Sequence, residues 1–413
     1  MSAPVRGVAR LLSGAGIAAA LLLPPAVPAS AAPLQGVPTD GGKGQELPGM
    51  PSALDPEGDE VACTPGSPAK AKKQDWSRQR LDLDRLHQHS TGAGVTVALI
   101  DTGVDPDAPG LDGRVSAVGP AGDDCVGHGT FLAGLIAGTG GDSPRLAGVA
   151  PGAKILALRG TDRRGRASAA LVVEALREAT EARADVIAVA VALPRQDAAL
   201  SGAVAEARRA GAVVVAAATP DPPSRGGDEV PPRTYWPAGE PGVLSVGDML
   251  PGGARPDGSL LTAGIDLVAP GAGVVSGGPR GEGHYLGAGA SVATAYAAGA
   301  AAAVRAAHPD ETAGAVTRRL TATAYPADIP QLDPYAAVTT VLGEPVPPAG
   351  AERAMEPVTV RDTAGADRAT GRATLLVLLG SGGVLAVLWA AFVFSRARAR
   401  GWRPAGAPGT GTQ

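Results

Sequence analysis

The chain has 413 residues, of which 45% are apolar, 18% charged and only 3% aromatic, and its net charge is −4. That length holds one large domain or two small ones with appendages, and the charge balance excludes the basic face that a nucleic-acid binder presents. With 59 glycines and 38 prolines the chain stays below the roughly 25–30% of low-complexity sequences, and its core must be built from Ala, Val and Leu.

In chain order, Arg6 and Arg10 precede an apolar run from Gly14 to Leu23. Pro24, Pro25 and Pro28 end the run, and Ala29-Ser30-Ala31 follows with the small residues of a cleavage site. This order reads as a secretory signal peptide over residues 1–31. Residues 32–75 are rich in Pro, Gly, Lys and acids, and are expected to form an extension without regular structure of its own. From Val95 the pattern changes. Val95–Ile100, Lys154–Leu158, Val186–Val191, Ala212–Ala217 and Val243–Val246 are short apolar runs that predict buried strands. Phe131–Ala137, Ala167–Arg183 and Asp197–Ala210 predict helices between them, and Val292–His308 and Glu311–Thr323 predict two more. Strands alternating with helices predict an α/β fold with a doubly wound, mostly parallel sheet and helices on both faces. Residues 343–372, rich in Pro, Gly and charge, read as a linker. Ala373–Ser395 carries no charge and would rise about 35 Å as a helix, against the ~30 Å of a hydrocarbon core. Arg396, Arg398, Arg400 and Arg403 follow at once. By the positive-inside rule, residues 396–413 form a cytoplasmic tail. The expected protein crosses the cell membrane once, with its main domain, 76–342, outside.

An exported chain favours disulfides, and the two cysteines, Cys63 and Cys125, fit one bridge. Such a bridge would stabilise by roughly 4 kcal/mol in the chain-entropy model. No cofactor or metal site is expected. The five histidines show no paired ligand spacing, and Gly138-Thr139-Gly140-Gly141 lacks the Gly-Lys-Ser/Thr of a phosphate-binding loop. Lys70-Ala71-Lys72-Lys73 reads as solvated linker.

In parallel sheets, functional groups gather where strands end and helices begin. Asp101 ends the first predicted strand, His128 opens an apolar helix in Gly127-His128-Gly129-Thr130, and Ser291 opens an Ala-rich helix in Gly289-Ala290-Ser291-Val292-Ala293. Each alone could be a turn, cap or surface residue. Together they supply an acid, a base and a nucleophile in the order Asp, His, Ser, one of the known orders of the Ser-His-Asp triad. Ser291 needs His128 to accept its proton, and Asp101 would fix the imidazole tautomer. The Ser291 amide, at a helix start, would face a developing oxyanion. A lone Asp101-Thr102-Gly103 does not make an aspartic protease, which needs a second carboxylate beside the first.

Val97–Val104, Gly127–Gly134 and Gly289–Ala293 resemble the three signatures of subtilisin-like serine proteases, and Gly148–Ala153 and Val268–Gly271 agree with them. The resemblance covers about 76–342 and implies the subtilisin-like three-layer fold. Asp124-Cys125-Val126-Gly127-His128, Ala62-Cys63-Thr64-Pro65, the stretch Trp76 through Gly94 and the C-terminal apolar segment resemble the mycosins, the membrane-anchored proteases associated with type VII secretion. This narrower resemblance implies a Cys63–Cys125 bridge tying the extension to the domain.

The sequence departs from the family at its oxyanion donor. Where the family has Ala-Ala-Ala-Gly-Asn, this chain has Ala216-Ala217-Ala218-Thr219-Pro220-Asp221, and it contains no Asn at all. Pro220 then stands at the Asn position, with neither a side-chain donor nor an N–H. Thr219, beside the Ser291 amide, is the remaining oxyanion candidate. Loss of such a donor costs ~10²–10³ in rate, far less than loss of the triad. The substrate wall, usually Ile-Asn-x-Ser-x-Gly, reads Ile187-Ala188-Val189-Ala190-Val191-Ala192, so a peptide would lie beside Val189, Ala190, Val191 and Ala192. Ala290 and Ala295 replace the usual Thr and Pro around the serine. Two functions are expected from this. One is a membrane-anchored endopeptidase cleaving exported polypeptides through an acyl-enzyme. The alternative is a weakly active or inactive subunit serving as a structural component of a type VII secretion membrane complex.

Overall fold

The structure is a computed structural model and describes residues 46–54, 62–140, 146–221, 233–256, 264–343 and 364–401. The expected signal peptide lies outside the described residues. The chain divides into two units, Met1–Leu342 and Gly343–Gln413.

The first unit begins with two short helices, α1 (Trp76–Arg80) and α2 (Leu83–His89), which the apolar periodicity did not predict. The apolar run after Gly94 forms β1 (Thr96–Asp101). A short edge strand β2 (Val115–Ala117) is followed by α3 (His128–Ala137), β3 (Lys154–Arg159) and α4 (Ala169–Glu181). Then come β4 (Val186–Val189), α5 (Ala198–Arg209), β5 (Val213–Ala217), β6 (Leu244–Met249) and β7 (Leu267–Pro270). A hairpin of β8 (Val274–Gly277) and β9 (His284–Gly287) precedes α6 (Ala290–Ala307), α7 (Ala313–Ala322) and α8 (Pro334–Thr339). Helix starts coincide with capping residues. Ser168 accepts from Leu171 N–H, Asp197 from the Ala199 and Leu200 amides, and Thr312 from Ala315 N–H, each satisfying amides that the helix leaves unpaired.

The strands β1 to β7 form one sheet in the order β2-β3-β1-β4-β5-β6-β7, parallel at every pairing. Side chains alternate across it. Val97 and Leu99 of β1 face one core with Val215 and Val246, while Ala98 and Ile100 face the other with Ile187 and Val214. Both faces are therefore apolar, as continuous hydrophobic strands require. The first core is filled by α3 and α6, the second by α4 and α5. Helix α6 is buried along Ala290–Val304, and its many alanines let it lie close under a sheet that has few aromatics to fill space.

Residues 46–54 and 62–75 have no helix or strand of their own, apart from a single bridge of Gly49 to Leu286. They are nonetheless tied down. Met50 N–H donates to Leu286 O at 2.7 Å, Leu54 N–H to Arg164 O at 2.9 Å, and Thr64 N–H to Cys125 O at 3.0 Å. Cys63 and Cys125 form a disulfide, and the Tyr285 hydroxyl donates to Pro65 O. Composition predicted a segment without regular structure of its own, and the described part of it has none beyond the Gly49–Leu286 bridge. The bonds come from distant loops, which local sequence does not display.

In the second unit, α9 (Ala364–Ala399) contains the stretch Arg372–Ala399, in which an 18-residue window has a mean hydropathy of 2.3. It is long and apolar enough to cross a membrane. Leu376, Val387, Trp389 and Phe392 are all exposed on it. A helix apolar on all sides suits lipid rather than water.

Candidate active site

Strand β1 has β3 on one side and β4 on the other, and the chain reverses its winding direction between them. A crevice opens beyond the carboxyl ends of strands at such a point. Asp101 ends β1 there and is almost fully buried.

His128 is the first residue of α3, behind Gly127 at φ 91°. A Cβ at Gly127 would lie 2.6 Å from Pro279 Cδ, so the tight entry to the helix needs glycine. Asp101 Oδ1 and Oδ2 lie 2.9 and 3.1 Å from His128 Nδ1. Nδ1–H donates to that carboxylate, which turns Nε2 toward the serine.

Asp124 fixes the loop that carries the histidine. Its Oδ1 accepts from Gly127 N–H at 2.7 Å and from Thr102 Oγ1 at 2.9 Å. Its Oδ2 accepts from Thr130 N–H at 2.9 Å and Thr130 Oγ1 at 2.7 Å. Burial pushes the Asp124 carboxyl above the usual carboxylate range, and these hydrogen bonds offset that only in part. The disulfide attaches at the next residue, and Arg280 donates to both Thr64 O and Asp124 O, at 3.0 and 3.3 Å.

Ser291 is the second residue of α6. Its Oγ is 3.2 Å from His128 Nε2. Asp101, His128 and Ser291 thus converge from three elements, in a geometry that allows proton transfer from the hydroxyl to the imidazole.

The other side of the serine holds a residue that the sequence reading passed over. Asp221 follows β5, and its carboxyl turns into the site. Oδ1 accepts from the Ser291 N–H at 3.0 Å, and Oδ2 accepts from Ser291 Oγ at 2.5 Å. Oδ2 also lies 3.2 Å from His128 Nε2. The Asp221 side chain is 8% exposed. Gly289, at φ 125°, leaves the room: a Cβ there would sit 2.0 Å from Asp221 Oδ1. Burial by itself would lower the His128 pKa, but the charges of and hydrogen bonds to Asp101, and then Asp221, outweigh it and raise the imidazole well above its ordinary range.

Thr219 is buried nearby, but the side chain on the Ser291 amide is that of Asp221. Pro220 is thus not the residue that fills the oxyanion position in space. The signal for this was available: Asp221 lies one residue further on, at the same strand end, and is an acidic isostere of Asn. Strand β4 stops at Val189, two residues short of the predicted end. Val189 and Ala190 are buried, while Val191 and Ala192 are half-buried beyond the strand. A cavity of about 250 Å³ lined by Lys70, Asp112, Gly138, Ser276, Glu282 and His284 lies elsewhere and includes no triad residue. Among the described residues, no cluster of His, Cys, Asp and Glu could hold a metal ion.

A parallel, doubly wound sheet with an Asp, a His and a Ser meeting at its carboxyl edge, in that chain order, defines a subtilisin-like fold. The subtilase family model matches residues 92–371, and the chain belongs to that family of serine proteases. It is 32% identical over 306 residues to mycosin-1 of Mycobacterium tuberculosis, covering 60% of this chain and 68% of the relative. It is also 32% identical over 261 residues to subtilisin E of Bacillus subtilis, covering 62% and 67% respectively. Among solved structures, MycP3 protease from the type VII (ESX-3) secretion system aligns with a TM-score of 0.58 at 29% identity, over 71% of this chain and 97% of that one. MycP1 from the ESX-1 type VII secretion system aligns with a TM-score of 0.60 at 26% identity, over 73% and 94%.

Proposed function

We propose that the chain is a membrane-anchored serine endopeptidase of the mycosin kind, hydrolysing peptide bonds of exported polypeptides in association with type VII secretion. The observation that carries this reading is the convergence of Ser291, His128 and Asp101 at 3.2 and 2.9 Å. Ser291 Oγ attacks the scissile carbonyl, His128 takes its proton and later gives it to the leaving amine, and Asp101 steadies the imidazolium. The substrate lies extended past Val189, Ala190, Val191 and Ala192. The leader-like residues 1–31, the uncharged part of α9, Ala373–Ser395, and the arginines from Arg396 onward support a single span with the peptidase domain outside and the C-terminus in the cytoplasm. Alkaline phosphatase fused after Arg400 is then inactive, and an active fusion would refute that orientation.

A second reading, a structural subunit of a secretion complex, is favoured by one observation: the hydroxyl of a fully buried Ser291 is hydrogen-bonded to a carboxylate. The two readings part on a single measurement. The full chain in detergent is incubated for hours with a fluorophosphonate and searched by mass spectrometry for an adduct on Ser291. The peptidase reading expects an adduct that Ser291→Ala abolishes. A folded chain with no adduct, even with Asn at position 221, leaves the structural reading.

A further inference from the structure

Catalysis by this triad needs hydrogen-bond donors aimed where negative charge develops on the substrate oxygen. The Ser291 N–H is one such donor, and in this structure it is taken by Asp221 Oδ1. The position that should offer a side-chain donor offers an acceptor instead. Two further features follow from the same carboxylate. Ser291 Oγ donates to Oδ2 at 2.5 Å, shorter than its 3.2 Å contact to His128 Nε2. Nε2 is itself 3.2 Å from Oδ2, so the imidazole lies between two carboxylates, Asp101 at Nδ1 and Asp221 at Nε2. Ser291 has no exposed surface, and a peptide carbonyl cannot reach Oγ with the carboxyl in place.

We infer that Asp221 closes the resting site: its carboxyl fills the oxyanion position, ties down the Ser291 hydroxyl and engages His128 Nε2, so the serine reacts only when that carboxyl is withdrawn or neutralised. This rests on the peptidase reading of the triad and adds to it the residue that sets its reactivity. An oxyanion and a carboxylate cannot share one pocket, because two like charges at contact distance disfavour each other. An imidazolium cannot serve as the general base that Ser291 needs.

The groups around Asp221 fit this role. His128 is the cation that faces it. Asp248, on β6, is close enough for the Asp221 charge to help raise its carboxyl, though burial is the larger cause. Arg255 is engaged with Asp248, at 3.4 Å. Gly289, the cap before α6, presents backbone alone.

The test replaces the carboxylate without changing its shape. Asp221→Asn supplies an NH2 donor in the same place, and Asp221→Ala removes the acceptor without supplying a donor. Two quantities are measured on the full chain in detergent. One is the rate at which a fluorophosphonate modifies Ser291, losing fluoride as Oγ bonds to phosphorus and its proton passes to His128. The other is the titration midpoint of His128, followed by NMR with isotope-labelled histidine, of which the chain has only five. The expected order of rates is Asn above Ala above Asp, with Asn faster than the natural chain by about 10²–10³, the usual worth of an oxyanion donor. The His128 midpoint falls in both variants. A midpoint that does not move in Asp221→Asn, or a natural chain that reacts as fast as Asp221→Asn, overturns the inference. A midpoint that falls while no variant forms an adduct upholds the Asp221–His128 pairing and defeats the peptidase reading instead.

Discussion

The two halves of the site are built on opposite principles. On the half formed by β1 and α3, each polar group has the partner its chemistry calls for: Asp101 accepts from His128, and Asp124 accepts from Gly127, Thr130 and Thr102. On the half formed by the end of β5 and the start of α6, the backbone has the expected shape, but its side chain has the reversed polarity. Asp221 brings an acceptor to a place where the reaction needs a donor. The first half shows how the fold fixes the orientation of an imidazole. The second sets a carboxylate on the amide and hydroxyl of Ser291, where an Asn would bring an amide nitrogen.

If the halves differ in this way, substitutions in them act in opposite directions. Asp101→Asn, made in a chain already carrying Asp221→Asn, is expected to slow Ser291 modification by about 10⁴, because the amide no longer holds the productive tautomer. Equal rates with and without Asp101 would mean that the first half is not a relay. Asp124→Ala acts on the same half through structure. It leaves the buried Gly127 and Thr130 amides without an acceptor, at about 1–3 kcal/mol for each unsatisfied group. Urea denaturation should show a loss of about 3 kcal/mol. A loss within 0.5 kcal/mol, the scale of ordinary surface changes, would mean that these bonds do not support the histidine loop.

The halves also differed in how far they could be read. Asp101, His128 and Ser291 sit at element boundaries, where an apolar run meets Gly or a helix start, and that local pattern is visible in one dimension. The parallel sheet was legible for the same reason, since Val95–Ile100, Val186–Val191 and Ala212–Ala217 are apolar runs that need cover on both faces. Helices α1 and α2 were not legible, because their anchors are remote. Arg78 pairs locally with the cap residue Asp75, but it is buried by donating to Val275 O and Leu146 O, distant bonds that no periodicity encodes. Asp221 was missed for a geometric reason. A residue-by-residue match puts Pro220 at the donor position, whereas a loop leaving a strand end can turn the next side chain into the site. Asp124 stands out in the sequence only as the neighbour of a cysteine, though its four hydrogen bonds make it the brace of the loop that carries His128.

The smallest expected effect is on stability, and it separates the halves by pH. The folded-state pKa of His128 is raised by Asp101 and Asp221 against the pull of burial. A group raised in this way stabilises fully below its unfolded value, about 6.5, where folded and unfolded chains both carry the proton. As pH rises further the unfolded chain releases its proton first, so the contribution declines until pH passes the folded value. The chain should therefore lose stability between pH 6 and 9 on account of this residue. Tyr235, Tyr285 and Tyr296 are all held above the usual phenol range, chiefly by burial, and so do not interfere below about pH 10. Asp221→Asn removes one of the two carboxylates. The decline should then be shallower, by up to about 1.4 kcal/mol for each pKa unit taken from His128. Urea denaturation of both chains at pH 6 and 9 reads this directly. Parallel curves would mean that Asp221 does not hold the proton on His128, and that the imidazolium depends on the β1 half alone.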